Sequence, residues 1–449
     1  MKKITMFKPG KYINNITGLQ FFQLFRFGIL FLISIIFSKS ALKQGEIGIY
    51  ETFLLIAGGV SFFWISGIIQ SLMPLFRNQV PARSTSKDDT GILFNSALLM
   101  LSMSTMVGIF VFLVNDYLAG LLSLHTSSVP YIKILVAYII LSGPNNLIEY
   151  IFLLKNQSKN IVLFSTISLT LQLLCVTMPV LLTNDLGYGL YGLLAVNALK
   201  FLFLIYLIRR YSKIQVRFDL IKKHLHLASP LIFSIFLSGS ASYFDGFLVS
   251  YHFDEARFAI FRYGARELPF VVLLANAFSN AMIPEFSTKG TQLAAFESMR
   301  KKSKKLMTVL FPLSILFLLT SKWLYPVVFN PDFLPSAAVF NVYLLLILSR
   351  LLFPQTLLIG WQKTRAIMVS SLIELTINVG LSVWFIQTMG IVGVAYATVI
   401  AYMVQKIILI AYLWIRNEIH PAKYIPISSW IGWSVILMLV YAGVNIWIW

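Results

Sequence analysis

Apolar positions in this chain fall in long, nearly unbroken runs. They do not follow the alternation of a half-buried strand or the one-sided stripe of an amphipathic helix. Thirteen runs cover roughly residues 19–38, 49–75, 91–114, 131–154, 161–182, 188–208, 226–250, 258–284, 306–329, 336–359, 366–388, 390–415 and 426–448. Each is close to or above the roughly 20 residues that take an α-helix across the hydrocarbon core of a bilayer. A backbone in lipid must satisfy its own N–H and C=O groups, so runs of this length predict helices. The expected fold is an all-α integral membrane protein, its last run an additional C-terminal helix.

Composition agrees with that reading. Of the 449 residues, 58% are hydrophobic and 12% charged, against about 25% charged in soluble domains. The net charge of +19 does not indicate nucleic acid, because the basic residues sit in short loops between apolar runs. With the N-terminus in the cytoplasm, 25 of the 36 lysines and arginines fall in inside segments, five fall outside and six lie within spans. That bias predicts an N-terminus on the cytoplasmic side. Cys175 is the single cysteine, so neither a disulfide framework nor a thiolate metal cluster is expected. The basic segment Met1–Gly18 precedes a run without a small-residue cleavage site, and the run is read as a retained first helix. Trp447 and Trp449 suit an interfacial aromatic belt.

The longest basic inner loop, Arg209 to His226, divides twelve runs into six and six. The domain boundaries expected are residues 1–208 for an N-terminal six-helix lobe, 209–225 for the basic inter-lobe loop, 226–415 for a C-terminal six-helix lobe and 416–449 for the extra helix. The halves echo each other. Ile47-Gly48-Ile49-Tyr50 follows run one and Phe258-Ala259-Ile260-Phe261 follows run seven. The next helices end in Met73-Pro74 and Ile283-Pro284, and runs six and twelve open on Gly189-Leu190-Tyr191-Gly192 and Gly390-Ile391-Val392-Gly393. Small residues three apart let helices approach closely. Both halves begin and end on one side, so a pseudo-two-fold axis would run along the membrane normal.

Ionisable residues inside membrane helices cost about 2.5–3.5 kcal/mol each on insertion scales and normally face a cavity or a partner. They are Arg26, Glu149 and Lys200 in the first half, and Asp245, Arg262, Arg266, Glu267, Arg350, Glu374 and Lys406 in the second. Arginine's planar fork suits phosphate, which makes Arg26, Arg262, Arg266 and Arg350 candidate anion-binding residues. Arg262 and Arg266, four apart, would share one helix face. Arg266 and Glu267, close to Asp245, could instead form ion pairs that lock helices seven and eight. Lys200 and Lys406 are read as snorkelling to the headgroups. Asp245, Glu149 and Glu374 are candidates for ion coupling or for interhelical bonding. The histidines, His224 and His226 included, are read as solvated loop residues with no metal-ligand spacing, and the basic stretch Met299–Lys305 as facing anionic lipid.

Taken together, the turn Gly45-Glu46-Ile47-Gly48-Ile49-Tyr50, Pro230 in run seven, Ser242-Tyr243-Phe244-Asp245, Ile283-Pro284 and the two Gly-x-x-Gly openings carry a resemblance. The chain resembles the polysaccharide (O-antigen type) flippase branch of the superfamily that also holds multidrug exporters and lipid II flippases. Where that family commonly has an Asp-Arg pair, this chain has Asp245-Gly246. The lipid II flippases use arginines on helices one and eight to hold a lipid-linked pyrophosphate, so the resemblance gives that role to Arg26, Arg266 and Arg262. It also implies a bacterial inner-membrane location and association with a polysaccharide polymerase or glycosyltransferases.

The reading that follows is a secondary transporter, not an enzyme. It would need no cofactor and bind no nucleic acid, and would flip a polyprenyl-pyrophosphate-linked oligosaccharide through a cationic inter-lobe cavity. The chain carries no Walker lysine or other nucleotide motif, so the drive would come from a proton or sodium gradient or from the membrane potential. A drug or cation antiporter on the same fold is the alternative, and would need an acidic cavity. A membrane polymerase or ligase is disfavoured because the longest external loop, Asn115 to Pro130, carries one Asp and one His.

Overall fold

A computed structural model describes residues 15–79, 91–122, 128–287, 292–361 and 363–447. The N-terminal lysines, Arg83, Lys87, His125, Lys289 and Trp449 lie outside the described residues. The chain divides into two compact units, one up to Phe236 and one from Leu237.

The first unit holds α1 (Asn15–Lys39), α2 (Gln44–Gly59), α3 (Phe62–Gln79), α4 (Ile92–Leu113), α5 (Asn115–Leu121), α6 (Ile132–Asn145), α7 (Ile148–Leu154), α8 (Ser158–Thr183), α9 (Leu186–Tyr211) and the start of α10 (Phe218–His252). Its core gathers Trp64, Ile68 and Leu72 of α3, Met100 of α4, Ile148 and Ile151 of α7 and Leu204 of α9. Helix α9 lies against α8 at its glycines: a Cβ on Gly192 would overlap the Cys175 carbonyl, and one on Gly189 would meet Val180.

The second unit holds the rest of α10, then α11 (Glu255–Gly264), α12 (Pro269–Ser287), α13 (Gln292–Val328), α14 (Leu334–Leu344), α15 (Ile347–Arg350), α16 (Pro354–Gly360), α17 (Thr364–Asn417) and α18 (Ile427–Trp447). Helix α18 braces the short α15, its Trp430 Nε1 donating to the Leu348 carbonyl at 2.9 Å.

Among the described residues, ten helices are long and apolar enough to cross a bilayer, or eleven with α2 and α3 counted as one span bent by 44°. This is a multi-pass membrane protein. At 54 residues, α17 is far longer than one crossing needs, and its backbone breaks at Gly390, with φ 61° and ψ −142°. Only glycine adopts that conformation without strain. The two parts lie side by side. Gln405 bonds Glu374, Asn378 bonds Thr398, and a Cβ on Gly393 would strike the Phe385 carbonyl. These residues sit at similar distances before and after Gly390, as in an antiparallel hairpin.

Runs 49–75, 131–154 and 336–359 are each divided, between α2 and α3, α6 and α7, and α14, α15 and α16, and three further departures from the hydropathy pattern bear on the site. Run 258–284 is not one helix, because α11 ends at Gly264 and α12 begins at Pro269. A proline fits the first turn of a helix and disfavours helical backbone at the residue before it. The helices at Met73-Pro74 and Ile283-Pro284 continue to Gln79 and Ser287.

The third departure is the basic loop, which is short and pinned. Residues 212–217 are not helical. The Asn95 side chain on α4 donates to the Gln215 carbonyl at 2.9 Å and accepts from the Arg217 N–H at 2.9 Å. The chain then enters α10 at Phe218, and His224 is 2% exposed. One ring nitrogen lies 3.1 Å from Ser96 Oγ and the other 2.9 Å from the Ile68 carbonyl. His224 is thus a buried tie between α10, α4 and α3, not a solvated loop residue.

Candidate functional site

The break between α11 and α12 carries the most unusual chemistry of the second unit. Gly264 closes α11 where a Cβ would strike the Ser336 carbonyl at the start of α14. Tyr263, fully buried, stacks on Phe333 at 4.5 Å and accepts the Tyr325 hydroxyl on its carbonyl at 3.0 Å. These contacts fix the end of α11. Arg266 follows in non-helical backbone, half-buried, its guanidinium 5.0 Å from the centre of the Tyr263 ring and its Nε donating to the Arg262 carbonyl at 3.3 Å. Arg262 and Arg266 therefore do not share a helix face, since the helix has ended between them.

Glu267, next in the break, takes the fork of Arg350 on α15. Nε donates to Oε2 at 2.8 Å and Nη2 to Oε1 at 2.5 Å. The other side of the guanidinium lies 4.7 Å from the centre of the Tyr402 ring on α17. The fork that made Arg350 a candidate phosphate ligand is thus engaged by Glu267. The partner expected for Arg266, Asp245, stands elsewhere.

Asp245, on α10, is 2% exposed. Its carboxylate accepts from Ser382 Oγ at 3.2 Å and Thr398 Oγ1 at 2.5 Å. These two hydroxyls come from the two arms of the α17 hairpin. Asn378 donates to Thr398 Oγ1 at 3.3 Å, and Asn378 Oδ1 has no hydrogen-bond partner among the described residues. Thr398 has one proton for two acceptors, Asp245 and the Val394 carbonyl at 3.1 Å. The cluster is therefore all oxygen on its acceptor side, with one negative charge, the donor set that hard cations or a proton favour. Among the described residues no group of three His, Cys, Asp or Glu side chains could hold a metal ion.

Glu374, on the first arm of α17, belongs to a ladder. Gln405 donates to Glu374 at 2.8 Å and to Ser371 at 3.0 Å, and Gln355 of α16 donates to Gln405 at 3.3 Å. Lys406 donates to Gln355 at 2.8 Å. Lys406 is 6% exposed, so it faces the helix packing and does not snorkel.

In the first unit, Arg26 is exposed on α1 and Glu149 is buried on α7. The cationic charges that bear on Glu149 are Lys200 and Arg26. Lys200 turns inward, donating to Gln172 of α8 at 3.3 Å. The structure thus brings Arg26, Glu149 and Lys200 into one neighbourhood and Arg266, Glu267 and Arg350 into another, with Asp245 of α10 bonded to the arms of α17 and Glu374 on α17 itself. Residues not singled out from sequence are Gln172, Gln355, Asn378, Ser382, Thr398, Tyr402 and Gln405. One signal for them was present: Glu374, Asn378 and Ser382 recur every fourth residue and so share a helix face.

Residues 42–338 match the family described as polysaccharide biosynthesis protein. The chain belongs to that family. The match agrees with the resemblance carried by the Gly45–Tyr50 turn and the motifs of runs seven and eight. A comparison with curated protein sequences finds no match. Among solved structures, this polysaccharide biosynthesis protein is similar to the lipid II flippase MurJ in an inward closed conformation, with TM-score 0.67, 16% identity and coverage of 96% of this chain and 92% of that one. A transporter of the MOP superfamily from Pyrococcus furiosus is similar with TM-score 0.58 and 16% identity over 90% of this chain and 95% of that one. An inward-facing MATE multidrug resistance transporter is similar with TM-score 0.64 and 14% identity over 88% of this chain and 97% of that one. At such identities the likeness is one of fold.

Proposed function

We propose that this membrane protein is a flippase that carries a polyprenyl-pyrophosphate-linked oligosaccharide from the cytoplasmic to the outer face of a bacterial inner membrane. Two six-helix lobes would rock about an axis along the membrane normal and expose a cationic cavity to each side in turn. The observation that carries the reading is the break at Ala265–Leu268. Non-helical backbone at membrane depth is tolerated only where protein buries it or where it lines a water-filled cavity. Here the break presents Arg266 within a run that hydropathy reads as a span. Arg26, exposed on a 25-residue spanning helix, supports the same reading, because a guanidinium at that depth needs water or an anion.

In this reading Arg26, Arg266 and Arg262 replace water around the pyrophosphate, while Arg350 positions the break through Glu267. Asp245 couples transport to a cation, and Glu149 and Glu374 are the further candidates. A polymerase or glycosyltransferases of the same route would supply and consume the cargo. The likeness to a lipid II flippase supports a lipid-linked cargo, and the family supports a polysaccharide precursor.

The test is flipping of a fluorescent polyprenyl-pyrophosphate oligosaccharide in proteoliposomes, with Arg26→Ala and Arg266→Ala beside wild type. Flipping by wild type and its loss in both folded variants is the expected result. No flipping, together with gradient-driven efflux of organic cations, would replace this reading by the antiporter, which the buried carboxylates Asp245 and Glu374 would then serve.

A further inference from the structure

Helices α8 and α9 leave a groove of about 500 Å³ between them on the outside of the first unit. Its floor is aromatic: Phe164 and Phe203 stack at 5.5 Å, and Phe152 lies 6.3 Å from each. Its lips are the exposed Leu163, Ile167 and Leu199. Exposed apolar side chains are ordinary on a lipid-facing helix. A concave aromatic channel of this size is not, and it falls in the range of small-molecule sites.

One end of the groove has a polar rim built of successive hydrogen bonds. Arg210 Nη1 donates to the Tyr206 hydroxyl at 3.0 Å, and the guanidinium sits 5.3 Å from the centre of the Tyr211 ring. Gln157 Nε2 donates to the Tyr211 hydroxyl at 3.1 Å, and Asn160 Nδ2 donates to Gln157 Oε1 at 2.9 Å. Lys155 lies 5.7 Å from the centre of the same Tyr211 ring. No acidic side chain lines the groove among the described residues. The rim therefore holds the Arg210 guanidinium in place, with donors left for an anion.

Lys200 lies toward the other end, with Val196 beyond it. Its ammonium is turned away to Gln172, so its methylene stem is what the groove meets. On α9 the lining runs from Val196 to Arg210, fourteen residues or about 21 Å at 1.5 Å per residue, which is well short of the ~30 Å hydrocarbon core and close to the length of an extended acyl chain.

We propose that this groove binds an anionic phospholipid, one acyl chain lying on the Phe152, Phe164 and Phe203 floor and the phosphate held by Arg210 at the rim. The length matches a straight acyl chain of one leaflet and falls short of a polyprenyl tail. The charge matches a phosphodiester without a compensating amine. Neither Arg26 nor Arg266 lines the groove, and the site does not depend on the cargo proposed above.

The test is native mass spectrometry of the delipidated full chain titrated with phosphatidylglycerol, phosphatidylcholine of the same chains, and polyprenyl monophosphate. Wild type is expected to hold one phosphatidylglycerol more tightly than phosphatidylcholine. Arg210→Ala should weaken phosphatidylglycerol by about fivefold, the effect of one basic residue at an anionic headgroup. Arg209→Ala, its neighbour outside the groove, should not. Ile167→Trp, which fills the channel, should weaken both phospholipids. Equal losses in the two arginine variants would reduce the effect to diffuse charge and overturn the site. So would an Ile167→Trp variant, folded by thermal unfolding, that binds as wild type does. Displacement of phosphatidylglycerol by polyprenyl monophosphate would assign the groove to the cargo's tail and overturn the proposed occupant.

Discussion

Arg350 and Glu267 meet through two parallel hydrogen bonds, Nε to Oε2 at 2.8 Å and Nη2 to Oε1 at 2.5 Å, with each side chain 24% exposed. The pair ties the break between α11 and α12 to α15, which Trp430 of α18 holds in turn. Breaking a fully buried pair by removing one partner costs about 3–5 kcal/mol, because it strands the other charge. Partial exposure lowers the expected loss to about 2–3 kcal/mol for Glu267→Gln or Arg350→Met. The double variant should be less destabilised than the two losses combined. Thermal unfolding of the four proteins in detergent measures the cycle, and strictly additive losses would show that the pair does not hold the break.

His224 and His226 stand two apart on α10, about 200° around the helix at 3.6 residues per turn. His224 faces inward, bonding Ser96 and the Ile68 carbonyl, while His226 is exposed. His224→Ala leaves the buried Ser96 hydroxyl without its partner and takes one of two side-chain donors from the Ile68 carbonyl, which keeps Ser71 Oγ at 2.9 Å; it should cost about 1–3 kcal/mol. His226→Ala should change stability by no more than about 0.5 kcal/mol. Chemical denaturation of the two variants side by side checks the contrast, and equal effects would contradict the buried tie.

The same pair marks where sequence reading stopped. Read as a loop because of the surrounding charge, both histidines look solvated; read as a helix, they fall on opposite faces. Long apolar runs revealed the helices because lipid leaves the backbone no alternative. The break at Ala265–Leu268 was hidden because hydropathy is averaged over a window, and Arg266 and Glu267 are two charges in a long apolar stretch. Pro269 was its one local mark. The intramembrane charges were found because charge in lipid is rare. Their partners were not, since Gln405, Thr398 and Ser382 are uncharged and contribute through the fold of the α17 hairpin, which needs Gly390 to turn. The pairing of Glu267 with Arg350 spans 83 positions, and no linear spacing encodes it.

Gly192 was legible as a close-packing residue, and its consequence is quantitative. A Cβ there would overlap the Cys175 carbonyl, backbone that cannot rotate aside. Gly192→Ala should force α9 from α8 and cost about 1–3 kcal/mol or more, as overpacked cores do. Gly28→Ala is the control, since nothing lies within 4 Å of the added atom and alanine is the better helix former. Melting temperatures of both should separate clearly. A Gly192→Ala protein as stable as wild type would show that the two helices are not held at that distance.

Asp245 is a buried carboxylate whose hydrogen-bond partners include the hydroxyls of Ser382 at 3.2 Å and Thr398 at 2.5 Å, rather than a cation. An uncompensated charge at that depth is costly, so the site should gain most from a small cation or a proton. A cation that binds only the folded protein stabilises it by about 2.7 kcal/mol at one hundred times its dissociation constant. Wild type should therefore melt higher in sodium than in a large organic cation if sodium couples, or show a transport rate that follows the pH gradient if the proton does. Asp245→Asn removes the charge and should abolish either response while keeping the fold. Thr398→Val removes one oxygen and should weaken it by about 1–3 kcal/mol of binding. Thermal shifts across lithium, sodium and potassium, with flipping measured under sodium and pH gradients, decide the matter. A wild type indifferent to all of them, or an Asp245→Asn variant that flips under a gradient as wild type does, would take Asp245 out of the coupling and leave it a structural tie between α10 and the two arms of α17.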